Sequence, residues 1–585
     1  MLVNLKEKPY YLNKEDIDWV NKTIESMTLE EKFKALFVCL TPGKDKDQLV
    51  SFIKELSPSG VRYNPLKSSD LYEHNLTLQT NSKVPLLICA NTENGGNGAC
   101  SDGTIVGSET KVAATRDISL AYKMGEISAK EAKACGVNTL FAPIVDIHNN
   151  FHNPVISNRT FGNDVDLVNE MSLAFFKGAS KENVLCCAKH FPGDGYDERD
   201  QHLASSTNPL SVEKWDESFG KVYKTLINEG LPLIMAGHIK LPSYQKYFNK
   251  DLKEEDIRPA TTSYELITKL LKEKLGFNGA VITDATHMVA LTSSDKRENF
   301  IPNIIKAGCD LILFYNDPDE DLTFLKDAFN KGIVTKERLN DALRRVLGLK
   351  AKLGLHKLKN SQLMPSKEEL KIINNEEYKL ISNEVSKRAI TLVKSKEANL
   401  IPLNKNKIKN ILLVINEDEN PFSMFMPKKK TIYEYIQEKL EKEGFNVTIF
   451  ESLMDKAKKL PPLEAMKLIS NVYGNKTPIS DLTSQYDLII QFADYMSHNT
   501  TQRIVWKLSK GTADIPFYVY ELPVIFVSLN CPFHLFDVPQ VKTYINCYDK
   551  NINTIDSLIN KLLGKEEFMG VSPLDCFCGM IDTKY

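Results

Sequence analysis

The 585 residues of this chain are too many for one hydrophobic core and predict at least two domains. Its 42% hydrophobic and 26% charged residues are ordinary for a globular protein, and a net charge of −2 gives no electrostatic reason to expect nucleic-acid or anionic-membrane partners. No apolar run is long enough to cross a bilayer, and the charged segment 1–16 lacks the apolar core of a secretion signal.

Short apolar runs alternate with longer amphipathic stretches through about the first 350 residues. Helical spacing of apolar residues predicts helices at Glu109–Ala134 and Val212–Glu229. Eight βα units in this length are typical of a (β/α)8 TIM barrel, here placed over residues 1–358. A doubly wound open sheet is the alternative, although eight units are many for one such domain. The predicted strands are Ala35–Leu40, Gly60–Tyr63, Val84–Ala90, Val137–Ile147, Val184–His190, Leu233–Ile239, Gly279–Asp284 and Cys309–Tyr315.

The second half of the chain has a different organisation. A linker over 359–400 contains a predicted bridging helix at Met364–Lys387, which we expect to begin at Pro365 and Ser366. Strand-like runs and helical stretches such as Thr431–Glu443 then predict a C-terminal α/β sandwich domain over 401–585. No glycine-rich phosphate loop opens a helix there, so we expect no nucleotide cofactor. The predicted strands of this half are Ala389–Val393, Ile411–Ile415, Val447–Phe450, Leu488–Phe492, Val524–Leu529 and Thr543–Asn546.

Polar and titratable residues stand at the carboxyl ends of the predicted barrel strands. The amino ends carry turn residues instead, such as Pro85 and Gly279. Active sites of (β/α)8 barrels lie at the carboxyl ends of the strands, so this asymmetry predicts a catalytic pocket there. The residues at these ends are Asn91, Glu93, Asp146, His148, Lys189, His190, His238, Asp284, Tyr315 and Asp317.

The loop after the fifth predicted strand is the most informative motif. It has the sequence Lys-His-Phe-Pro-Gly-Asp-Gly over Lys189–Gly195, followed by Asp200, Gln201 and His202. Because Asp200 lies two residues from His202, its carboxylate can hold and polarise the imidazole, as a general acid/base near neutral pH requires. A merely polar surface loop is the alternative. The concentration of titratable side chains after a buried strand favours catalysis.

These residues resemble glycoside hydrolase family 3, in its β-N-acetylglucosaminidase branch. That branch has Lys-His-Phe-Pro-Gly-His-Gly followed by Asp-Ser-His, and Lys189–Gly195 and Asp200–His202 match it in spacing. Two-domain members of the branch carry an α/β sandwich after the barrel, which agrees with the second half of this chain. Further matching segments, in family order, are Met27–Lys32, Ala142–Asp146, Asn153–Gly162 and Val281–Asp284.

The resemblance implies a retaining mechanism and assigns its catalytic residues. Asp284 occupies the position of the family's nucleophile, which forms a covalent glycosyl-enzyme. His202 occupies the position of the acid/base, and Asp200 that of its orienting partner. A neighbouring carboxylate favours the imidazolium, which is the form able to donate a proton.

The resemblance also implies the sugar-binding residues. Asp194 belongs to the predicted site in place of the branch's second histidine, where its carboxylate would alter the loop geometry or the charge felt by His202. Asn91–Gly96 departs from the family's Asp-x-Glu-Gly-Gly, which puts the preferred sugar in question. His238 has an equally good explanation as a satisfied core histidine. The other expected sugar contacts are Glu93, Asp146, Arg159, Lys189 and His190, with His238 and Met288 near the rim of the pocket.

The implied function is an exo-acting β-N-acetylglucosaminidase that removes terminal N-acetylglucosamine from cell-wall or chitin-type fragments. The eleven cysteines, several inside apolar runs, indicate reduced thiols and a cytoplasmic protein, in which fragments of peptidoglycan would be recycled. The alternatives are a β-glucosidase, a phosphorylase that uses phosphate in place of water, or a non-catalytic sugar-binding protein.

The only expected partner is a small carbohydrate, and the sequence leaves the oligomeric state open. We expect no cofactor and no metal, because Cys576 and Cys578 have no second pair at zinc-ligand spacing. A metal-dependent barrel hydrolase, with His190, His202 and Asp284 as ligands, is a more distant alternative.

Overall fold

The computed structural model describes residues 2–418, 430–474, 478–495, 503–506 and 512–585. The chain divides into two compact units. The first lies within Met1–Glu109 and Asp117–Ser382, and the second comprises Thr110–Arg116 together with Asn383–Tyr585.

The first unit contains a closed parallel barrel formed by the eight predicted strands, which confirms the TIM-barrel interpretation. The ladder runs β1-β2-β3-β4-β5-β7-β9-β10 and closes through the parallel pairing of β10 with β1. The remaining pair, β6 and β8, forms a separate two-stranded sheet. The strands are β1 (Phe37–Leu40), β2 (Gly60–Arg62), β3 (Leu87–Ala90), β4 (Thr139–Leu140), β5 (Leu185–Phe191), β6 (Ser206–Thr207), β7 (Leu233–Ala236), β8 (Ile239–Lys240), β9 (Ala280–Ala285) and β10 (Leu311–Leu313).

Helices connect the barrel strands, and many begin at side-chain caps that are visible in the sequence. Thr28 and Glu31, for example, form a reciprocal capping box before the second helix. The helices in chain order are α1 (Lys14–Ser26), α2 (Leu29–Lys34), α3 (Lys46–Leu56), α4 (Ser68–Asn81), α5 (Glu109–Ala114), α6 (Ile118–Ala134), α7 (Val165–Ser180), α8 (Val212–Trp215), α9 (Lys221–Asn228), α10 (Pro242–Phe248), α11 (Val289–Thr292), α12 (Arg297–Ala307), α13 (Pro318–Asn330), α14 (Lys336–Lys352) and α15 (Glu376–Ala389).

Three predicted elements are shorter or more broken than the apolar pattern indicated. The fourth strand ends at Leu140, because Pro143 has no N–H and the N–H of Ile144 donates to the side chain of Glu109. The predicted helix Glu109–Ala134 breaks where Arg116 adopts a positive φ of 54°. The predicted bridging helix becomes a 3-10 segment at Lys367–Ile372 and then α15, with Asn374 at a positive φ of 50° between them.

One irregularity of the barrel helps to place the site. The pairing of β5 with β7 shifts register between Ala188 and Phe191. Lys189 and His190 therefore lie in a bulged part of the strand, near its carboxyl end. A bulge re-aims side chains that regular pairing would hold in strict alternation.

The second unit is a six-stranded mixed sheet covered on both faces, which confirms the predicted α/β sandwich. Ile411 and Leu413 pack into one core and the alternate residues Leu412 and Val414 into another, as expected for a strand buried on both sides. The order is β11-β16-β15-β14-β12-β13, with only the β11–β16 pair antiparallel. The strands are β11 (Thr391–Ser395), β12 (Asn410–Glu417), β13 (Asn446–Ile449), β14 (Leu488–Asp494), β15 (Val524–Ser528) and β16 (Thr543–Asn546).

The helices of this unit connect the strands of the sheet. Thr431 and Glu434 form a capping box at the start of the first, which matches the predicted helix Thr431–Glu443 closely. The helices are α16 (Ile432–Lys442), α17 (Leu453–Lys458), α18 (Pro462–Tyr473), α19 (Ser480–Thr483) and α20 (Ile552–Leu562).

Candidate active site

The carboxyl end of the barrel holds a buried ion cluster built on Glu93. This carboxylate follows β3 and accepts hydrogen bonds from Arg159 Nε at 2.9 Å and Nη2 at 3.0 Å. Lys189 Nζ, from β5, donates to the same carboxylate. Burial raises the pKa of Glu93, but the two cations outweigh that effect and hold it well below its usual range. The structure thus brings together three predicted sugar-binding residues as one charged group.

A second buried pair lies beside this cluster. His190 Nδ1 is 2.7 Å from Asp146 Oδ2, and the backbone N–H of His190 also points to that carboxylate. The backbone N–H of Asp194 donates to Asp146 Oδ1 at 2.8 Å. With Nδ1 held by a carboxylate, Nε2 is the ring nitrogen that remains for a ligand hydroxyl.

His202 and Asp200, the two residues predicted to act as an acid/base pair, are hydrogen-bonded to each other. His202 Nδ1 lies 2.6 Å from Asp200 Oδ1, which also accepts the backbone N–H of His202 at 2.7 Å. The imidazole is 49% exposed whereas the carboxylate is only 1% exposed. The hydrogen bond to Asp200 raises the pKa of His202 above its usual value, against the opposing effect of desolvation. The pair can therefore present a protonated imidazole to a ligand.

The predicted nucleophile is a half-buried carboxylate at the end of β9. Asp284 Oδ1 accepts the N–H of Ala285 at 2.8 Å. Burial raises the pKa of Asp284, but nearby His190 and His238 outweigh it, so the net effect is a lowered pKa. A carboxylate kept ionised in this way can act as a nucleophile at neutral pH.

The charge of Asp284 raises the pKa of His202, and the charge of His202 lowers the pKa of Asp284. The loops that carry them are also tied together, because the N–H of Val289 donates to the carbonyl oxygen of His202 at 2.8 Å.

Two predicted rim residues are buried. His238 has a partner at each ring nitrogen, with Nδ1 3.1 Å from Thr261 Oγ1 and Nε2 3.0 Å from the carbonyl oxygen of Ala285. Desolvation lowers its pKa. This is the satisfied core histidine of the alternative explanation, placed next to Asp284. Met288 is also buried, and its N–H donates to the carbonyl oxygen of Ala285. Direct sugar contacts by these two residues stay predictions.

Asp194 lies beneath the cluster and is only 2% exposed. Its carboxylate accepts hydrogen bonds from the N–H of Gly195, Asn153 Nδ2 and Gln201 Nε2. Burial, together with the charge of Asp146, raises the pKa of Asp194 to about 7. The predicted role of Asp194 in sugar binding stays a prediction.

Two polar residues of this region were absent from the predicted site. Glu109 is buried at the start of α5, where Oε1 accepts the N–H of Ile144 at 2.9 Å and burial raises the carboxyl pKa well above its usual value. In the sequence it is only one polar residue of an amphipathic stretch. Gln201 is fully buried between the two members of the acid/base pair. Its position within the motif, between Asp200 and His202, was the signal that could have identified it.

Within 2–418 and the later described segments, no three histidine, cysteine, aspartate or glutamate side chains are grouped as a metal site would require. Over the same residues, none of the helices combines the length and the apolar character that crossing a membrane demands.

A (β/α)8 barrel with a strand-end aspartate, a carboxylate-paired histidine and buried ion pairs gathered at the carboxyl ends of its strands is the arrangement of a barrel enzyme. Residues 28–349 match the glycosyl hydrolase family 3 N-terminal domain. The chain is also 36% identical, over 100% of both sequences, to a β-N-acetylglucosaminidase/β-glucosidase of Cellulomonas fimi. The chain therefore belongs to glycoside hydrolase family 3, which confirms the resemblance seen in its motifs.

Solved structures support the same assignment. The β-glucoside phosphorylase BglX superposes with a TM-score of 0.90 at 38% identity and covers 99% of each chain. A family 3 β-N-acetylglucosaminidase from Paenibacillus sp. str. FPU-7 superposes with a TM-score of 0.73 at 24% identity, over 94% of this chain and 99% of that one. The second likeness shows the shared fold.

Proposed function

We propose that this chain is a retaining exo-β-N-acetylglucosaminidase that also accepts β-glucosides. The observation that carries the proposal is the half-exposed His202, bonded to buried Asp200 and electrostatically coupled to ionised Asp284. The full-length relative named for both activities supports the choice of sugars. Terminal N-acetylglucosamine of cell-wall or chitin-type fragments is the proposed substrate.

In the first step, the Asp284 carboxylate attacks the anomeric carbon and forms a covalent glycosyl ester. The bond to the leaving oxygen breaks, and protonated His202 gives its proton to that oxygen. Asp200 supports this step, because it accepts the Nδ1–H hydrogen bond and stabilises the imidazolium, whose other proton is on Nε2 and is the one donated. The Glu93–Arg159–Lys189 cluster and the Asp146–His190 pair supply donors and acceptors for the sugar hydroxyls.

In the second step, the neutral imidazole of His202 takes a proton from a water molecule. The oxygen of that water attacks the anomeric carbon, and Asp284 leaves as a carboxylate. Two inversions give net retention, so the released sugar first appears as its β-anomer. The eleven cysteines are all unpaired and buried, which is compatible with the proposed reducing, cytoplasmic setting and a role in fragment recycling.

A second candidate is phosphorolysis, favoured by the 38% identity to a β-glucoside phosphorylase over almost the whole chain. Here a phosphate oxygen replaces water at the glycosyl ester and yields a sugar 1-phosphate. After donating its proton, His202 is neutral, so it repels a phosphate dianion less than a carboxylate base would.

Matched p-nitrophenyl β-N-acetylglucosaminide and β-glucoside, assayed with and without inorganic phosphate, test both candidates. We expect turnover of both substrates with a preference for the N-acetyl sugar. Products followed by phosphorus NMR separate free sugar from sugar 1-phosphate. Phosphate-dependent rates with sugar 1-phosphate as the main product would replace hydrolysis by phosphorolysis. Sugar binding without turnover of either substrate would overturn both candidates in favour of a binding protein.

A further inference from the structure

Asp194 and Gln201 occupy the two positions at which the catalytic loop departs from the branch motif. Where the branch has histidine and serine, this chain has an aspartate and a glutamine. In the folded protein these two side chains bond to each other, with Gln201 Nε2 3.0 Å from Asp194 Oδ2. The two residues that differ from the branch motif are therefore hydrogen-bonded to each other.

We infer that Asp194 and Gln201 form a positioning bridge that holds the backbone of the acid/base loop and so orients His202. The inference rests on the proposed function, because it concerns proton donation by that histidine. Neither residue is placed against the sugar; each acts through His202.

The anchored side of the bridge is Asp194. Its Oδ1 accepts the N–H of Gly195 at 2.7 Å and Asn153 Nδ2 at 2.9 Å, and its own N–H donates to Asp146 Oδ1 at 2.8 Å. These three hydrogen bonds fix both the side chain and the backbone of Asp194. It connects the bridge to the Asp146–His190 pair.

Gln201 is the member of the bridge that adjoins the acid/base residues, and its side chain is fully buried. Nε2 donates to Asp194, and Oε1 accepts the N–H of His238 at 3.2 Å. Gln201 is covalently joined to Asp200 on one side and His202 on the other.

Movement of the Gln201 backbone must therefore change the geometry of the acid/base pair. Asp200 Oδ1 accepts both the backbone N–H and the ring Nδ1 of His202, so the imidazole follows the backbone at this point. A side chain locked by buried partners on both of its polar atoms supplies the rigidity that an acid/base group needs.

The bridge can be tested by exchanging its donor and acceptor. Asp194→Asn places an amide opposite the Gln201 amide, and Gln201→Glu places a carboxylate opposite the Asp194 carboxylate. We expect each single variant to lower kcat/KM for the poor leaving group of N,N′-diacetylchitobiose by roughly 10- to 100-fold, a part of the full effect of general acid catalysis. For a dinitrophenyl glycoside, whose departure needs no proton, the loss should stay below about 3-fold.

The double variant D194N/Q201E restores one donor and one acceptor at the contact. We expect it to recover chitobiose cleavage to within about 5-fold of the parent enzyme, as coupled neighbours do in a double-mutant cycle. Asn208→Asp is the matched control, because Asn208 Nδ2 donates to the carbonyl oxygen of Gly193 in the same loop without touching Gln201. It should affect both substrates equally.

Equal losses on both substrates in the single variants, or no recovery in the double variant, would overturn the bridge. If Asp194→Asn does not accumulate as folded protein, the double variant decides alone. A folded double variant whose ratio of kcat/KM for chitobiose to kcat/KM for the dinitrophenyl glycoside equals that of the parent enzyme supports the bridge. A double variant that does not fold, or that has a different ratio, overturns it. A failure of the proposed function gives a different result. In that case His202→Ala would lower kcat/KM equally for the disaccharide and for the dinitrophenyl glycoside.

Discussion

The two ends of the barrel both bury charged side chains, but they use them differently. At the amino end, Lys272 Nζ lies 3.0 Å from both oxygens of Asp310, which immediately precedes β10. Asp341 accepts Arg345 Nε at 2.9 Å and Arg338 Nη1 at 2.7 Å. Arg345 also donates to the carbonyl oxygens of Asn278 and Gly279, just before β9.

At the carboxyl end, the charged groups include a side chain that is open to solvent. His202 is half-exposed, and the pKa values of His202 and Asp284 move in opposite directions because of their neighbours. Groups whose partners are all supplied by the protein stabilise the fold, whereas exposed groups with unused hydrogen-bonding capacity can carry chemistry. Mutations at the two ends should therefore have separable effects.

The largest expected effect is at the nucleophile. Asp284→Asn should lower turnover by at least about 10⁴-fold, because no glycosyl ester can form on an amide. The melting temperature should not fall, since the change removes a half-buried charge and keeps the shape. Steady-state kinetics and thermal unfolding measure the two effects. Asp317→Asn is the control, because Asp317 is an exposed aspartate after the neighbouring strand β10, where its side chain caps α13. An active Asp284→Asn enzyme would contradict the assignment of Asp284 as the nucleophile.

The acid/base residue should show a loss that depends on the leaving group. His202→Ala should lower kcat/KM roughly 10²- to 10⁴-fold for disaccharides and far less for activated aryl glycosides. The physical reason is that only a basic leaving oxygen needs a proton in the transition state. Equal losses for the two substrate types would contradict an acid role.

Substitutions at the amino end of the barrel should lower the free energy of unfolding and leave the catalytic rate unchanged. Arg345→Met should lower the free energy of unfolding by about 3–5 kcal/mol, because it removes one partner of a buried ion network. Urea titration measures this loss, and kcat of the folded fraction should be unchanged. Arg344→Met, on the same helix, contacts Asn21 and should cost less than about 1 kcal/mol. If Arg345→Met lowered kcat and left the free energy of unfolding unchanged, the amino end of the barrel would contribute to catalysis, which would contradict this prediction.

The smallest expected effect is a shift of the pH profile. Asp200 raises the pKa of His202, so the protonated imidazole is present at low pH and is lost as pH rises through that pKa. Asp200→Asn should move the alkaline limb of kcat/KM for chitobiose to lower pH. The acid limb reports Asp284, whose pKa is below the usual aspartate value, and should stay in place. An alkaline limb that does not move would mean that another group titrates there.

Much of the site follows from local sequence. The strand-end positions of Asp284 and Glu93 were visible because apolar runs that end in polar residues recur from the third predicted strand to the eighth. The Asp200–His202 pair was visible because a single residue, Gln201, separates its members along the chain. Helix breaks were less accessible, since the positive φ at Arg116 and Asn374 interrupts stretches whose apolar spacing continues.

Other features depend on closure of the barrel. The sequence by itself determined the order of the elements and the family and led to the proposed catalytic residues, because periodicity and short motifs are properties of neighbouring residues. Only the tertiary structure decided which polar groups meet. Glu93 pairs with Arg159, 66 residues further along the chain. The side chain of Glu109 accepts the N–H of Ile144, and Gln201 donates a hydrogen bond to Asp194. The contacts of Glu93 and Glu109 join separate βα units, so their geometry exists only once eight strands have closed in one register. Gln201 and Asp194 instead meet within the loop after β5.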